Sequence, residues 1–232
     1  MGVFEPTHYA ASVWRAVEAQ HDVATMALVD TRDEQRELEQ ILERSKPAVP
    51  HECAGLHWLL FTPFRYPPLP TGSRFRGPTD PGVFYAAPHE RTACAELGFW
   101  RWRFLLESPD LDALETKRQT VFSSAIAGPA LNLRVPPLLA RRPEWTHPHD
   151  HTACQDLARS ARAEGVAILV YESVRDPDHG DAVAILTARA FAQRQPLQAR
   201  TWLLSVNRQR VIWRLDSVLE AGEFEFQTGH WT

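Results

Sequence analysis

The sequence has few cysteines and no excess of basic charge. Its three cysteines, Cys53, Cys94 and Cys154, are scattered over 232 residues. An odd and widely spaced set does not fit the disulfide framework of a small secreted protein and favours a reducing compartment. The 25 basic and 29 acidic residues give a formal net charge of −4. Nucleic-acid-binding domains are usually strongly basic, so we expect no direct binding of nucleic acid.

Long apolar runs are also missing. No stretch approaches the ~20 consecutive apolar residues that a membrane-spanning helix needs. Residues 1–22 lack the basic segment and apolar core of a secretory signal. The hydrophobic content of 44% and the charged content of 23% are ordinary for a globular protein. We therefore expect a cytoplasmic protein with no membrane partner, long enough to build one good core.

Residues 1–50 are predicted to form a helical lead-in packed on the core. The side chains at helical spacing near its start are Trp14, Val17 and His21. A second helix is predicted over residues 33–42, where Thr31 and Glu34 have the spacing of a capping box. The prolines of Lys46–Pro50 end this region, because proline removes a backbone donor and restricts the residue before it.

Residues 51–232 are predicted to form the main domain, which alternates short apolar runs with amphipathic segments. The predicted strands cover residues 56–62, 82–87, 119–127, 166–171 and 182–186, with a hairpin over 201–206 and 210–215. The predicted helices cover residues 90–106 and 152–164, the second of which ends at Gly165. The fold class is therefore α+β, with a mixed, twisted sheet.

Four kinds of polar side chain occur where these elements meet. Arg74 and Arg76 lie in a loop rich in proline and glycine, Tyr85 ends a predicted strand, and Ser173 follows an apolar strand. Guanidinium groups match paired phosphate oxygens, and an aromatic face can hold a flat cationic ring. A carboxylate such as Glu96 can stabilise an oxocarbenium-like sugar. Together these residue types fit a ligand that carries both a phosphate and a ring.

Glu96 has the right neighbours on its predicted helix for such a site. An apolar stripe is predicted to run along that helix through Ala93, Leu97, Trp100 and Phe104. Glu96 lies beside this stripe, so we expect its carboxylate to border the core rather than to face bulk water.

Four segments carry a resemblance to a known family. Residues 73–76, 82–85, 93–96 and 171–175 resemble, in order, the segments of the RES domain, named for an arginine, a glutamate and a serine. The resemblance implies the toxin of a bacterial RES–Xre toxin–antitoxin module, with a fold similar to ADP-ribosyltransferases. It implies NAD as a consumed substrate, with no bound cofactor, and an Xre-like helix-turn-helix antitoxin as partner.

Matched by motif, the resemblance makes Arg74 the named arginine, Tyr85 a pocket-lining residue, Glu96 the glutamate and Ser173 the serine. It implies cleavage of the nicotinamide–ribose bond by a glycohydrolase or phosphorylase, or transfer of ADP-ribose to a protein. The acceptor stays open between water, phosphate and a protein side chain.

The arginine segment departs from the common family pattern, which has one arginine after two glycines. This chain has Gly72 and Ser73 there, with Arg65, Arg74 and Arg76 as possible phosphate ligands. Strand alternation predicts that Arg74 and Arg76 lie on one face, where both would contact phosphate.

Other interpretations of these residues are less specific. Taken singly, each site residue fits an ordinary structural role, and only their occurrence together favours a nucleotide site. A zinc site is an alternative, since four metal-capable side chains lie close together at His147, His149, His151 and Cys154. Cysteine chemistry at Cys94 or at Cys53 near His57, and a non-catalytic partner-binding module, complete the alternatives.

Overall fold

The structure is a computed structural model that describes residues 5–19 and 29–231. The described α-helices are α1 (Arg32–Ser45), α2 (Trp58–Arg65), α3 (Glu90–Leu106), α4 (Arg142–Trp145) and α5 (Thr152–Ala163). The described strands are β1 (Thr7–Glu18), β2 (Phe84–Ala86), β3 (Ala113–Asn132), β4 (Ile168–Glu172), β5 (Asp181–Ile185), β6 (Gln198–Asn207), β7 (Arg210–Leu215) and β8 (Glu223–Gln227).

All eight described strands form one sheet. Its order is β2–β5–β4–β3–β6–β7–β8, and β1 pairs with β3 outside this path. The pairing of β3 with β4 is parallel, whereas the other pairings are antiparallel. The sheet is therefore mixed, and the predicted α+β fold class is confirmed.

Strand β3 organises the sheet because its 20 residues pair with three other strands. Residues 119–130 pair with β1, residues 113–123 with β6, and residues 130–132 with β4. The start of β4 therefore lies beside the end of β3, and Ser173 follows directly after the last residue of β4. This arrangement fixes the position of the serine relative to the centre of the sheet.

The predicted helix at Trp14 and Val17 is wrong, because these residues lie in β1. Alternate side chains of β1 face the core: Val13 is fully buried, and Tyr9, Ala11 and Val17 pack against the same cluster. This period of two belongs to a strand with one buried face. His21 lies outside the described residues. The division of the chain at residue 50 stays a prediction, although β1 shares a sheet with the later strands.

The second predicted N-terminal helix is confirmed as α1, and so is its capping box. The Thr31 hydroxyl accepts from the Glu34 N–H, and the Glu34 carboxylate accepts from the Thr31 N–H. The predicted strand over residues 56–62 is wrong, because helix α2 begins at Trp58. The imidazole of His57 caps α2 by accepting from the Leu59 N–H. A short apolar run fits a buried helix as well as a strand, so periodicity alone did not separate them.

Helix α3 has the predicted span, but its buried face differs from the predicted stripe. Trp100 and Phe104 are 60% and 54% exposed, whereas Phe99, Trp102 and Leu105 are buried. The buried face packs against β6, β7 and β8. The remaining predicted strands and the helix before Gly165 are confirmed with shifted ends, and the short helix α4 was not among the predicted elements.

No helix within residues 5–19 and 29–231 is both long and apolar enough to cross a lipid bilayer.

Gly98 brings α3 close to β7, and this contact gives a test of the fold. A Cβ at position 98 would lie 2.9 Å from Val211 Cγ1, a side chain with little freedom to move. We expect Gly98→Ala to lower the free energy of unfolding by about 1–3 kcal/mol through overpacking. At an exposed position inside a helix, the same substitution would raise the free energy of unfolding by up to about 1 kcal/mol.

Urea denaturation measures this difference. Gly229→Ala is the control, since nothing lies within 4 Å of a Cβ at that position. An increase in stability for Gly98→Ala would contradict the close α3–β7 contact.

Candidate functional site

The first site segment is a tight turn rather than a strand. The Ser73 N–H donates to the Arg76 carbonyl at 2.7 Å, and the Arg76 N–H donates to the Ser73 carbonyl at 3.2 Å. Gly72 precedes the turn with φ +67°, and a Cβ there would lie 2.3 Å from the Arg76 carbonyl oxygen. Glycine is therefore the residue that this turn requires.

The turn sends its two arginines to different loops. Arg74 is 8% exposed, and its Nη1 donates to the carbonyls of Trp145 and His147 at 2.7 and 3.0 Å. Arg76 donates instead to the carbonyls of Tyr66 and Asp80. The prediction that both share one face is wrong, because alternation applies to a strand and not to this turn.

Arg65, the third candidate phosphate ligand, lies at the end of α2 and contacts the N-terminal region. Its Nε donates to the Pro47 carbonyl at 2.6 Å, and its Nη2 lies 2.8 Å from Glu43 Oε1. These contacts tie α2 to α1. Of the three candidate arginines, only Arg74 exerts a charge effect on Glu96.

Tyr85 supports the turn through its hydroxyl group. The hydroxyl lies 2.8 Å from Ser73 Oγ and accepts from the Phe75 N–H at 2.9 Å. Burial raises the pKa of Tyr85 above its usual value, which keeps the phenol neutral. The carbonyl of Tyr85 also accepts from Arg15 of β1 at 2.7 Å. Tyr85 therefore holds the backbone next to Arg74, and the residue as a whole is half-buried.

Glu96 and Ser173 are joined by a direct hydrogen bond. Ser173 Oγ donates to Glu96 Oε1 at 2.5 Å, and the serine is fully buried. Ser173 Oγ also accepts from the N–H groups of Arg175 and Asp176, at 3.2 and 3.0 Å. Because both backbone donors occupy the acceptor side of the hydroxyl, its proton is left for the glutamate.

The loop after Ser173 is fixed to the start of α3. Asp176 accepts from Thr92 Oγ1 at 2.6 Å and forms an ion pair with Arg91. The Ser173 N–H donates to the Gly180 carbonyl at 2.9 Å, which closes the loop on itself. The contact between Asp176 and Thr92 therefore holds Ser173 beside α3. There it lies next to Glu96, which is one helical turn after Thr92.

Burial and charge act on Glu96 in opposite directions. Burial raises the pKa of the Glu96 carboxyl group, because a low-dielectric surrounding disfavours the charged form. The hydrogen bond from Ser173 and the charges of Arg175 and Arg74 lower this pKa, while Asp176 raises it further. The net shift is upward. A carboxylate that is poorly solvated and next to cations is suited to stabilise a developing positive charge.

Two groups were not assigned to the nucleotide site from the sequence. The guanidinium of Arg175 lies 3.7 Å from the centre of the Phe99 ring. The imidazole of His151 has its pKa lowered to about 4 by burial and by the charges of Arg74 and Arg175. Arg175 falls within the Ser173 segment, so the motif contained a signal. The position of His151 depends on the path of residues 146–151, and no sequence signal indicated it.

The alternative chemistries find no support in this arrangement. Among the described residues, no group of three or more His, Cys, Asp or Glu side chains is placed to hold a metal ion. His147 Nδ1 instead accepts from the Asp150 N–H at 2.7 Å. All three cysteines are buried, and burial raises the pKa of each thiol, to about 11 for Cys53. A raised pKa disfavours the reactive thiolate.

A surface cleft of about 820 Å³ lies beside the candidate site. It is lined by α4, the start of α5 and the loop between them, and includes neither Glu96 nor Ser173. It shares Trp145 and His147 with the site, since the carbonyls of these residues bind Arg74. The candidate site is therefore assigned from its polar contacts.

Comparison with known proteins identifies the family. The model of the RES domain matches residues 49–207, which is more than half of the chain. The chain belongs to the RES domain family. The matched range contains the turn that carries Arg74, the helix of Glu96 and the loop of Ser173, so these residues lie within the RES domain.

Other comparisons add little. No curated protein matches the sequence significantly. Among solved structures, a chain in the crystal structure of the M. tuberculosis MbcT–MbcA toxin–antitoxin complex is similar, with 10% sequence identity and a TM-score of 0.49. The match covers 88% of the present chain and 87% of that chain.

The raised pKa of Glu96 predicts a pH-dependent stability difference for Glu96→Gln. A glutamate whose pKa is higher in the folded state stabilises the fold fully below its unfolded pKa of about 4.5 and loses this contribution as the pH rises through the folded pKa. Glutamine does not titrate. We therefore expect the free energy of unfolding of Glu96→Gln, measured relative to that of the wild type, to increase as the pH rises from acid to neutral.

Urea denaturation over a pH series measures this difference. Glu107→Gln, at an exposed position just after the same helix, is the control and should show no such trend. A stability gain that shrinks with rising pH would contradict the raised pKa of Glu96.

Proposed function

We propose that this RES domain protein is a bacterial toxin that consumes NAD by cleaving the bond between nicotinamide and ribose. NAD is a substrate in this proposal, and no resident cofactor is required. The hydrogen bond between Ser173 and Glu96 is the observation that carries the proposal, because it holds a partly buried carboxylate beside two arginines. The resemblance of the motif segments to NAD-consuming RES toxins supplies the substrate.

Substrate binding uses groups around this carboxylate. Arg74 faces the pyrophosphate with the guanidinium nitrogens that are not bonded to Trp145 and His147. The ring of the half-buried Tyr85 lies against the nicotinamide, since an aromatic face attracts a cationic ring. Arg76 donates to two loop carbonyls and supports the loop rather than the substrate.

The reaction breaks one carbon–nitrogen bond. Nicotinamide leaves with the electron pair of the bond and becomes neutral, and the positive charge moves to the ribose. Glu96 stabilises this oxocarbenium-like ion through its negative charge. A water molecule then adds to the ribose and loses a proton, which gives ADP-ribose. Ser173 orients the carboxylate throughout and is not the nucleophile, because its proton is bonded to Glu96.

Two other outcomes use the same site. Attack by phosphate would give a phosphorolytic product, and attack by a protein side chain would give ADP-ribosylation. A non-catalytic binding module would bind NAD without releasing nicotinamide. Analysis of the products by chromatography and mass spectrometry separates these outcomes, because each acceptor stays attached to the ribose carbon.

Glu96→Gln tests the enzymatic proposal. The amide keeps the shape of the side chain but loses the negative charge, so we expect nicotinamide release from NAD to fall by about 10²–10³-fold. Chromatographic detection of nicotinamide measures the rate, and circular dichroism checks that the variant is folded. Glu107→Gln is the matched control and should keep full activity. Retained turnover in Glu96→Gln would reject this mechanism.

We also propose an Xre-like helix-turn-helix antitoxin as the partner that silences the enzyme. Trp100 and Phe104 lie one and two turns after Glu96 on α3, and both are largely exposed. Exposed aromatic side chains of this size are typical anchors of protein interfaces. A partner bound there would also cover the approach to Glu96.

Expression in bacteria tests this partner. We expect the protein alone to arrest growth and a co-expressed helix-turn-helix protein from the neighbouring gene to restore it. The double variant Trp100→Ala/Phe104→Ala should stay toxic but escape neutralisation. Val218→Ala/Leu219→Ala is the control, because both residues are exposed and apolar but lie in the loop between β7 and β8. This variant should remain neutralised. Full neutralisation of the α3 variant would place the antitoxin elsewhere.

A further inference from the structure

Arg175 is held rigidly at the edge of the candidate site. Its N–H donates to Ser173 Oγ at 3.2 Å, and its carbonyl accepts from Trp231 Nε1 at 2.7 Å. The guanidinium packs over the Phe99 ring at 3.7 Å, and its Nη2 donates to the Pro148 carbonyl at 3.2 Å. Both the backbone and the side chain are therefore positioned before any ligand arrives.

No carboxylate neutralises this arginine at close range. Within the part of the chain that the structure describes, the ion pairs of 4.0 Å or less include neither Arg175 nor Arg74. Other arginines of the protein do have such partners, as Arg142 has in Glu172 and Arg159 in Asp80. Glu96 is the acidic group whose charge acts on Arg175 most strongly, but one carboxylate faces two guanidinium groups. The site therefore has an excess of positive charge.

His151 is the third member of this cluster. Its Nε2 is buried and has no hydrogen-bond partner among the described residues. The ring is neutral near pH 7, because burial and the charges of Arg74 and Arg175 lower its pKa to about 4. A buried ring nitrogen without a partner is unfavourable unless a ligand or water supplies one. A phosphate group would supply acceptor oxygens to the two guanidinium groups, which have no carboxylate of the described residues within ion-pair distance, and a hydrogen-bond partner to the buried imidazole nitrogen.

We propose that Arg175, together with Arg74 and His151, forms an anion subsite that binds a phosphate group of the substrate. This inference rests on the proposed function for the identity of the substrate, but not for the presence of the subsite. It replaces Arg76 by Arg175 as the second phosphate-binding arginine. The planar guanidinium suits the role because its N–H groups match two phosphate oxygens at once.

The position of the subsite also explains how it serves the reaction. Ser173 contacts both Glu96 and the backbone of Arg175, so the carboxylate and the anion subsite share one support. A phosphate bound at Arg175 would place the attached ribose close to the carboxylate. Arg175 is therefore a binding and positioning residue, and it takes no part in bond cleavage.

Binding measurements in the Glu96→Gln background test the subsite without turnover. The probes are ADP-ribose, inorganic pyrophosphate and adenosine, followed by isothermal titration calorimetry. We expect Arg175→Gln to weaken ADP-ribose and pyrophosphate by about 10–100-fold, the usual effect of losing a charged hydrogen bond. Adenosine, which has no phosphate, should bind unchanged. Arg103→Gln is the control for the loss of an exposed charge near the site and should have a much smaller effect.

Each result decides the question. Equal pyrophosphate binding with and without Arg175, or no pyrophosphate binding in the Glu96→Gln protein, overturns the subsite. Equal weakening of adenosine and ADP-ribose also overturns it, because the effect would then be structural. If Arg175→Gln does not fold, Arg175→Lys replaces it, and an unchanged affinity for ADP-ribose in that variant overturns the role of the guanidinium fork.

The subsite and the proposed function can fail separately. Binding of pyrophosphate that depends on Arg175, in a protein that releases no nicotinamide from NAD, retains the subsite and rejects the enzyme. Nicotinamide release with pyrophosphate binding that is independent of Arg175 retains the enzyme and rejects the subsite.

Discussion

The hydrogen bond from Ser173 to Glu96 is the interaction on which the site depends. It joins the loop after β4 to helix α3, which lie 77 positions apart in sequence. The serine can donate to the carboxylate because two backbone N–H groups occupy its acceptor side. Asp176 then fixes that loop to Thr92. One buried hydroxyl group therefore orients the glutamate and partly offsets the effect of burial on its pKa.

The site balances the cost of burying charge against the use of that charge. Burial raises the pKa of Glu96, and the nearby arginines lower it only in part. Among the described residues, Arg74 and Arg175 have no carboxylate within ion-pair distance. Such an arrangement lowers stability in the empty protein and is relieved when a ligand brings both a cation and phosphate groups, as NAD does. The electrostatics of this site are in this sense completed by such a ligand.

The sequence singled out two candidate residues that the structure brings into contact, but it did not predict the contacts of the arginines. Glu96 and Ser173 were found because their segments follow a family order, and they are in direct contact. Arg76 was placed wrongly, because a turn that depends on Gly72 does not alternate as a strand does. The helix predicted at Trp14 was wrong because the spacing of Trp14, Val17 and His21 fits a helix by chance. The period of two in Tyr9, Ala11 and Val13 was the stronger signal.

The pairing of β1 with β3 has a consequence for how the protein is made. Thr7 pairs with Ala130, so the first described strand finds its neighbour only after more than half of the chain has left the ribosome. Contacts between distant parts of a sequence slow folding, because a long loop must close first. The Glu96–Ser173 contact forms later still in synthesis. A nascent chain of this protein therefore has no assembled candidate site until translation is well past its midpoint.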